Sequence, residues 1–391
     1  MSLVRPIRRF LIVSLALAAA VLGGAGSALF AACDPFTDVA ADAFCPFVLE
    51  IFTLGITTGT SPTTYDPAGT VNRLQMAAFL SRTVDGVVKR GHTRAALERF
   101  WNPQNSTVLA LTDIGFNVRV LKSDGTDVWV ANAGVGTVSR VRGGDGKLLE
   151  TWTGAGNAND VVIATGRVLV AGYTTPGSLY AIDPTQTAGT VTTVASNLGG
   201  LSVAIAFDGA RVWTANELGM GSISIITPGA IPWTVTTVTT GFSLPSDVLY
   251  DGANMWAVNR GTGRVLKLGP GGAILQTVTV GLSPSQLAFD GTNIWVTNNG
   301  SDSVTVFRAS SGAILQTLTG NGLNGPRGAA FDGDRFLVTN ADGHTISLWK
   351  AADLTPLGGF PMPAGSSPLW ACSDGAHFWI TLNLAGKLAR F

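Results

Sequence analysis

The chain has 391 residues, of which 46% are hydrophobic and only 13% are charged. Such a sequence can bury large cores but has few charges for its surface, and its 49 glycines favour sheets and turns. Lysine plus arginine and aspartate plus glutamate both total 25, and no basic cluster follows the first ten residues, which argues against nucleic acid as a partner.

Residues 1–32 have the pattern of an export signal. Three arginines precede the uncharged apolar run 10–22, and a stretch of small residues follows it. We therefore expect a signal peptide and an exported protein that is found in the cell envelope or outside the cell. Two alternatives use the same residues: an uncleaved membrane anchor, and a lipoprotein, because Phe30-Ala31-Ala32-Cys33 resembles the lipid-attachment box.

The three cysteines are Cys33, Cys45 and Cys372. An exported protein normally enters an oxidising compartment, where Cys33 and Cys45 are the natural disulfide pair. Cys372 lies in an apolar segment, which favours a buried free thiol.

Residues 33–85 form a first module, in which two apolar-periodic stretches flank the turn-rich segment 59–69. This pattern predicts two helices joined by a loop. Asn72 and Gln75 have the spacing of a capping box at the start of the second helix, because each side chain can accept a backbone N–H from the other residue.

Four separated segments of this module resemble the S-layer homology domain in the same order: Pro35-Phe36-Thr37-Asp38-Val39, Leu54-Gly55-Ile56-Thr57-Thr58-Gly59, Tyr65-Asp66-Pro67 and Val71-Asn72-Arg73-Leu74-Gln75-Met76-Ala77-Ala78-Phe79-Leu80. The resemblance implies attachment to cell-envelope polysaccharide, with Asp38 and Arg73 at the matching motif positions as binding candidates. A single copy, where wall-binding members commonly have three, implies weak or oligomer-dependent binding. In the alternative interpretation Asp38 caps the first helix and Arg73 only satisfies a neighbouring carboxylate or helix end.

After a connector at residues 86–105, one short phrase of the form Asp-Gly-x-x-apolar-Trp-Val-x-Asn recurs to the end of the chain, about 40 residues apart. Its tryptophan position falls at Trp129, Leu169, Trp213, Trp256, Trp295, Leu337 and Trp379. Each repeat contains four strand signals, such as 286–289, 293–297, 303–307 and 313–319, with Asp-Gly forming the hairpin between the first two. The tryptophan is expected to fill the gap between neighbouring sheets rather than to stack on carbohydrate.

Seven such units over residues 106–391 predict a mainly β fold, a seven-bladed β-propeller of four-stranded blades. The seventh unit ends within its third strand at 387–391, and we expect residues 106–112 to supply the missing fourth strand and close the ring. The repeat resembles the YVTN and NHL types, whose propellers are mostly binding scaffolds, although some relatives are lyases or lactonases.

Polar residues at the mouth of the central channel are the candidates for a ligand site. Those that vary between blades are Arg119, Asp160, Glu217, Asp247, Arg327 and His344. The Asn repeated after second strands is instead expected to tie down its own loop by hydrogen bonding to nearby backbone. Carboxylates near this mouth are few and the three histidines have no metal-ligand spacing, so we expect no metal and no cofactor.

The sequence thus favours a non-catalytic protein of the cell envelope. Its first module would attach it to envelope polysaccharide, and its propeller would bind an unknown protein or small molecule. The alternative is a secreted lyase or lactonase, with His344 as a general base at the channel mouth.

Overall fold

In the computed structural model, the described residues are 110–391 and, within the first module, 36–39, 45, 48, 51, 52, 57, 59–73, 75, 76, 79 and 80. The expected export signal, Cys33, the connector 86–105 and residues 106–109 lie outside them. The chain divides into two compact units, Met1–Arg94 and Ala95–Phe391. Within the described residues, no helix has the length and apolar character needed to span a membrane.

The first unit has a small core around Phe36, with Val39, Cys45 and Val48 also buried. Residues 45, 48, 51 and 52 are helical, and so are 73, 75, 76, 79 and 80. Between these helical residues, a turn is closed by the bridge Ser61↔Thr64.

The predicted capping box is confirmed at the start of the second helical stretch. The Asn72 N–H donates to Gln75 Oε1 and the Gln75 N–H donates to Asn72 Oδ1, both at 2.9 Å. These bonds satisfy two backbone donors that the helix itself leaves without partners.

The second unit is a seven-bladed propeller in which every blade is an antiparallel four-stranded sheet, as predicted. Blade 1 consists of β2 (Val118–Ser123), β3 (Asp127–Asn132), β4 (Thr137–Arg142) and β5 (Leu148–Thr153). Blade 2 consists of β6 (Ala158–Ala164), β7 (Arg167–Gly172), β8 (Gly177–Ile182) and β9 (Thr192–Leu198). Blade 3 consists of β10 (Ser202–Phe207), β11 (Val212–Asn216), β12 (Ser222–Thr227) and β13 (Thr234–Val238). Blade 4 consists of β14 (Pro245–Tyr250), β15 (Met255–Asn259), β16 (Arg264–Leu268) and β17 (Ile274–Thr279). Blade 5 consists of β18 (Pro284–Phe289), β19 (Asn293–Asn298), β20 (Ser303–Arg308) and β21 (Ile314–Leu318). Blade 6 consists of β22 (Pro326–Phe331), β23 (Arg335–Asn340), β24 (Thr345–Lys350) and β25 (Pro356–Pro361).

Blade 7 joins the two ends of the propeller sequence. It contains β26 (Pro368–Ser373), β27 (Phe378–Leu382) and β28 (Lys387–Arg390), and its fourth strand is β1 (Ala110–Asp113), which pairs antiparallel with β28. The expected closure of the ring by an N-terminal strand is therefore confirmed for the part of that segment the structure describes.

The first strands of the blades line the central axis, because each contacts the first strands of both neighbouring blades in a closed ring. The apolar residues of the propeller form seven clusters, one in each gap between neighbouring blades. Trp129, Trp213, Trp256, Trp295 and Trp379 are at most 1% exposed in these gaps, which confirms their packing role.

The entry to every first strand has the same unusual backbone. The residue before the strand adopts a left-handed conformation with φ between 46° and 62° in all seven blades, at Asn117, Asn157, Leu201, Leu244, Ser283, Gly325 and Ser367. A register shift then follows in the pairing of each first strand with the second. Such bulges redirect side chains, and here they do so at one end of the channel.

Candidate binding site at the channel mouth

The mouth of the channel is the end at which each first strand begins and each second strand ends. Antiparallel pairing places these two points together, as in the register pairs Val118↔Asn132 and Pro326↔Asn340. Residues in the bulges and in the loops between second and third strands therefore meet at the mouth, although they come from remote parts of the sequence.

Three arginines meet at this mouth from blades 1, 4 and 6. Arg119 and Arg327 lie in the bulges of β2 and β22, and Arg260 begins the short 3-10 turn Arg260–Thr262 that follows β15. Burial lowers the pKa of Arg327; the carboxylate of Asp342 opposes this effect, and the charges of Arg260 and Arg119 add to it. The three guanidinium groups are thus close enough to repel one another.

Glu217, from the loop after β11, pairs with one of the three arginines. Its Oε1 lies 2.7 Å from an Nη of Arg260. Burial raises the pKa of Glu217, while the charges of Arg260 and Arg119 lower it. Glu217 therefore neutralises Arg260 and fixes its position.

The other two arginines keep their hydrogen-bonding capacity. The Nε atoms of Arg119 and Arg327 are buried and have no hydrogen-bond partner, and neither guanidinium group forms an ion pair within the described part of the chain. A buried donor without an acceptor is costly, whereas the outer Nη groups of a guanidinium can donate to an anionic ligand. The mouth is chemically an anion-binding arrangement.

Asp160 and Asp247 lie deeper in the channel, where both are buried. Asp160 Oδ2 accepts the Ile205 N–H at 2.9 Å, and Asp247 Oδ2 accepts the Leu287 N–H at 2.7 Å. Each carboxylate thus links its own first strand to that of the next blade. Gln286 makes the same link, since its Oε1 accepts the Ala329 N–H at 2.7 Å.

Burial changes the ionisation of these two channel carboxyl groups. It raises the pKa of Asp160 to about 6 and that of Asp247 to about 7, although the charge of Lys122 and the backbone N–H donors favour ionisation. The ionised form of Asp160 further raises the pKa of Asp247. Lys122 is thus a channel residue that sequence reasoning did not identify.

His344 lies in the loop between β23 and β24 in a left-handed conformation, with φ of 50°. Its Nδ1 accepts the backbone N–H of Ser367, from the loop before β26, at 3.3 Å. A neutral imidazole that accepts at Nδ1 carries its proton on Nε2. This contact occupies the Nδ1 lone pair of His344.

The repeated Asn does tie down its loop, but through hydroxyl groups rather than the nearby backbone in most cases. The amide of Asn132 donates to the hydroxyls of Thr137 and Ser139, at 3.1 and 2.9 Å. Asn298 and Asn340 repeat the pattern with the hydroxyls five and seven residues further on. The sequence does contain a signal for these contacts, because Ser or Thr stands five and seven residues after each of these three Asn residues.

The repeated Asp-Gly turn has a second contact that sequence reasoning missed. In every blade with the tryptophan, the turn Asp accepts a hydrogen bond from the indole Nε1–H, at distances of 2.7–2.9 Å. Blade 2 has the shorter turn Thr165-Gly166 and carries Leu169 in place of the tryptophan, so it lacks both partners. In blade 6, where Leu337 replaces the tryptophan, Asp332 binds Arg335 Nε instead, at 3.0 Å.

In the first unit, the two residues singled out for polymer binding have different surroundings. Both oxygens of Asp38 accept backbone N–H bonds from Tyr65, at 2.9 and 3.0 Å, and Oδ2 also accepts that of Asp66, at 2.7 Å. These bonds, from Tyr65 first and then Asp66, lower the pKa of Asp38. Asp38 thus holds the loop at residues 65–66.

Arg73, in contrast, is exposed at the start of the second helical stretch and has no hydrogen-bond or ion-pair partner among the described residues. The described residues also contain no group of three His, Cys, Asp or Glu side chains able to hold a metal ion. Cys45 is buried, Cys372 is a buried free thiol, and the pairing of Cys45 with Cys33 remains a prediction.

Comparison with known proteins identifies the first unit and the architecture of the second. Residues 35–77 match the model of the S-layer homology domain. No curated protein matches the sequence. The S-layer homology domain implies a protein associated with the cell surface, in line with the resemblance found in the sequence.

Solved propeller structures are similar to the second unit. Virginiamycin B lyase from Staphylococcus aureus is 14% identical, with a TM-score of 0.61, over 72% of this chain and 99% of that one. The hydrazine synthase of Kuenenia stuttgartiensis is 14% identical, with a TM-score of 0.62, over 74% and 98%. The WD40 β-propeller domain of Doa1 is 13% identical, with a TM-score of 0.60, over 72% and 95%. At these identities the similarity establishes the fold alone.

Proposed function

We propose that this chain is an exported, non-catalytic binding protein that is held at the cell envelope by its S-layer homology domain and presents the mouth of its propeller to a ligand. The observation that carries this proposal is the domain match at residues 35–77. Arg73 within it is exposed and has no partner among the described residues, and it is the side chain best placed to bind an envelope polysaccharide. Asp38 supports that surface indirectly by holding the loop at residues 65–66.

The propeller mouth supports the second half of the proposal. The guanidinium groups of Arg119 and Arg327, which have no ion-pair partner in the described part of the chain, are suited to binding a ligand. Planar guanidinium groups bind carboxylate or phosphate through paired N–H donors. The mouth is therefore proposed as the binding face of an envelope-attached platform.

Three residues would carry the alternative activity of a lyase or lactonase, and the contacts of all three favour binding instead. The Nδ1 lone pair of His344 is used by Ser367, Glu217 is paired with Arg260, and Asp247 is buried against the backbone of the next blade. We expect the purified chain to leave virginiamycin B intact. Cleavage that disappears in His344→Ala, with the fold retained, would favour the enzyme instead.

Cell fractionation tests the attachment proposal. The chain, carrying a C-terminal tag, is expressed in a bacterium whose wall binds S-layer proteins, beside a variant that lacks residues 35–77. We expect the full chain in the envelope fraction and the shortened chain in the medium. If the shortened chain stays in the envelope fraction, the first 32 residues hold the protein there and the proposed role of the domain is wrong.

A further inference from the structure

Exposed apolar side chains surround the mouth of the propeller. They are Phe116 and Val135 in blade 1, Leu218 and Met220 in blade 3, Leu282 before the first strand of blade 5, and Leu384 in blade 7. Their exposed fractions range from 50% to 70%. We call these six residues the apolar ring. Exposed apolar surface next to polar groups is typical of interaction sites.

The apolar ring encloses a positively charged centre. Arg119, Arg260 and Arg327 converge there, and the acidic groups that interact with them are Glu217 and Asp342. Because Glu217 pairs with Arg260, the remaining cations outnumber the remaining anion. Arginine within an apolar surround is the composition that protein interfaces favour at their centre.

We propose that the mouth binds an acidic side chain of another protein, presented in a segment whose apolar residues contact the apolar ring. The carboxylate would accept hydrogen bonds from the outer Nη groups of Arg119 and Arg327, which are half-buried and have no ion-pair partner among the described residues. This inference rests on the proposed function of the propeller as a binding face, and it names the chemical class of the ligand.

Three observations favour a protein segment over other anions. The apolar ring reaches blades 1, 3, 5 and 7, which lie around the whole circumference of the mouth, so a small anion would leave most of it uncovered. The chain carries no net charge that would attract a nucleic-acid backbone. The tryptophans that a carbohydrate would stack on are buried between the blades.

Isothermal titration calorimetry with the full secreted chain tests this inference in the absence of any polysaccharide. The probe is a peptide with blocked ends and the central sequence Leu-Phe-Asp-Leu-Phe, compared with the same peptide carrying Asn in place of Asp, and with inorganic phosphate. We expect the acidic peptide to bind best, with an affinity about tenfold or more above that of its Asn counterpart. The binding should weaken as salt is added.

Two double variants locate the binding. Arg119→Gln with Arg327→Gln should lower the affinity for the acidic peptide about tenfold or more, because the carboxylate loses both donors. Phe116→Ser with Leu282→Ser should lower it while retaining the preference for Asp over Asn. The matched control is Arg167→Gln with Arg308→Gln, which removes the same charge from exposed arginines at the opposite end of the blades and should leave the affinity unchanged.

Several results would overturn the inference. Equal binding of the Asp and Asn peptides, or equal loss in the control variant, would show that the arginines of the mouth do not select an acidic side chain. Phosphate binding as tightly as the peptide would reduce the mouth to a simple anion site. Self-association that disappears in the Arg119→Gln, Arg327→Gln variant, with no peptide binding, would assign the mouth to a second copy of this chain. None of these results bears on attachment through residues 35–77, which the fractionation experiment tests separately.

Discussion

At the scale of single residues, the repeated Asp of the Asp-Gly turn has two structural roles at once. In blade 5, Asp290 Oδ1 accepts the backbone N–H groups of Thr292 and Asn293, at 2.9 and 2.6 Å, and Oδ2 accepts the Trp295 indole N–H at 2.9 Å. Trp295 is fully buried and stacks on Phe336 of the next blade, with ring centroids 4.0 Å apart. The turn, the second strand and the neighbouring blade are therefore linked through one carboxylate.

Asp290→Ala should lower the free energy of unfolding by about 1–3 kcal/mol, because it leaves the buried indole N–H of Trp295 without an acceptor. Denaturant unfolding followed by fluorescence measures this loss. In Trp295→Phe, which has no indole N–H, the same Asp290→Ala change should cost less. Equal costs in the two backgrounds would contradict the proposed role of the bond.

Asp247 predicts a pH dependence of stability. Its pKa is about 7 in the folded chain, against an ordinary value of 3.8, because it is buried. The folded state therefore holds a proton that the unfolded state has released, so this contribution to stability is fully present below about pH 4 and is lost as the pH rises through 7. Asp160 acts in the same direction with its pKa of about 6.

Urea unfolding at pH 5 and pH 8 measures this effect. We expect the chain to be less stable at pH 8 by about 4 kcal/mol, with the larger part from Asp247, and the difference to shrink in Asp247→Asn, which does not titrate. A wild-type chain that is equally stable or more stable at pH 8 would show that the channel carboxylates are ionised without cost.

Sequence reasoning identified several of these residues but not all of their contacts. The Asp-Gly turn was predictable because its composition is local. Its bond to the tryptophan left only one sign in the sequence: the Asp precedes the Trp by five residues in every blade that has the tryptophan, whereas blade 2 has neither residue. Asp160 and Asp247 were expected at the rim from their place before the first strands, but their burial and their bonds to the backbone of the next blade could not be predicted, because the partners lie about 40 residues further on.

At the scale of elements, the first strands are held by backbone geometry as much as by side chains. Seven residues of four different types share one left-handed conformation before these strands, and only Asn and Gly favour it intrinsically. Because the repeated feature is a left-handed backbone conformation and not a residue type, the sequence gives little indication of it. The strand bounds, by contrast, followed closely from alternating apolar residues and turn signals.

Gly328, in β22, shows how closely neighbouring first strands approach. A Cβ atom at this position would lie 2.5 Å from the Leu369 carbonyl oxygen and 2.7 Å from the Trp370 Cα of blade 7. Because both are backbone atoms, blade 7 would have to shift. Gly328→Ala should therefore lower the free energy of unfolding by about 1–3 kcal/mol.

Gly229→Ala is the matched control for this prediction, since a Cβ there meets no atom within 4 Å and its φ is not left-handed. It should be neutral or slightly stabilising, because alanine restricts the unfolded chain. Thermal unfolding of the two variants compares them directly. Equal stabilities would show that blades 6 and 7 have room to separate.

At the scale of the whole molecule, the chain combines a small S-layer homology domain with a ring whose seven cores lie between blades rather than within one centre. The pairing of β1 with β28 covers the edge of β28 that would otherwise be free and joins the two ends of the propeller sequence within blade 7. The number of blades, the closing strand and the first domain were all predictable, because each depends on a repeated or family-specific pattern. The mouth was only partly predictable, because Arg119, Arg260 and Arg327 are separated widely in sequence and meet only through the ring.

The most direct test of this account is co-sedimentation of the purified chain with isolated cell-wall polysaccharide. Residues 33–391 should pellet with the polysaccharide, weakly because one domain copy is present, and Arg73→Gln should pellet less while its melting temperature is unchanged. Residues 106–391 should remain in the supernatant. If residues 106–391 pellet as well as the longer chain, or if neither pellets, the account of an envelope-attached binding protein is wrong.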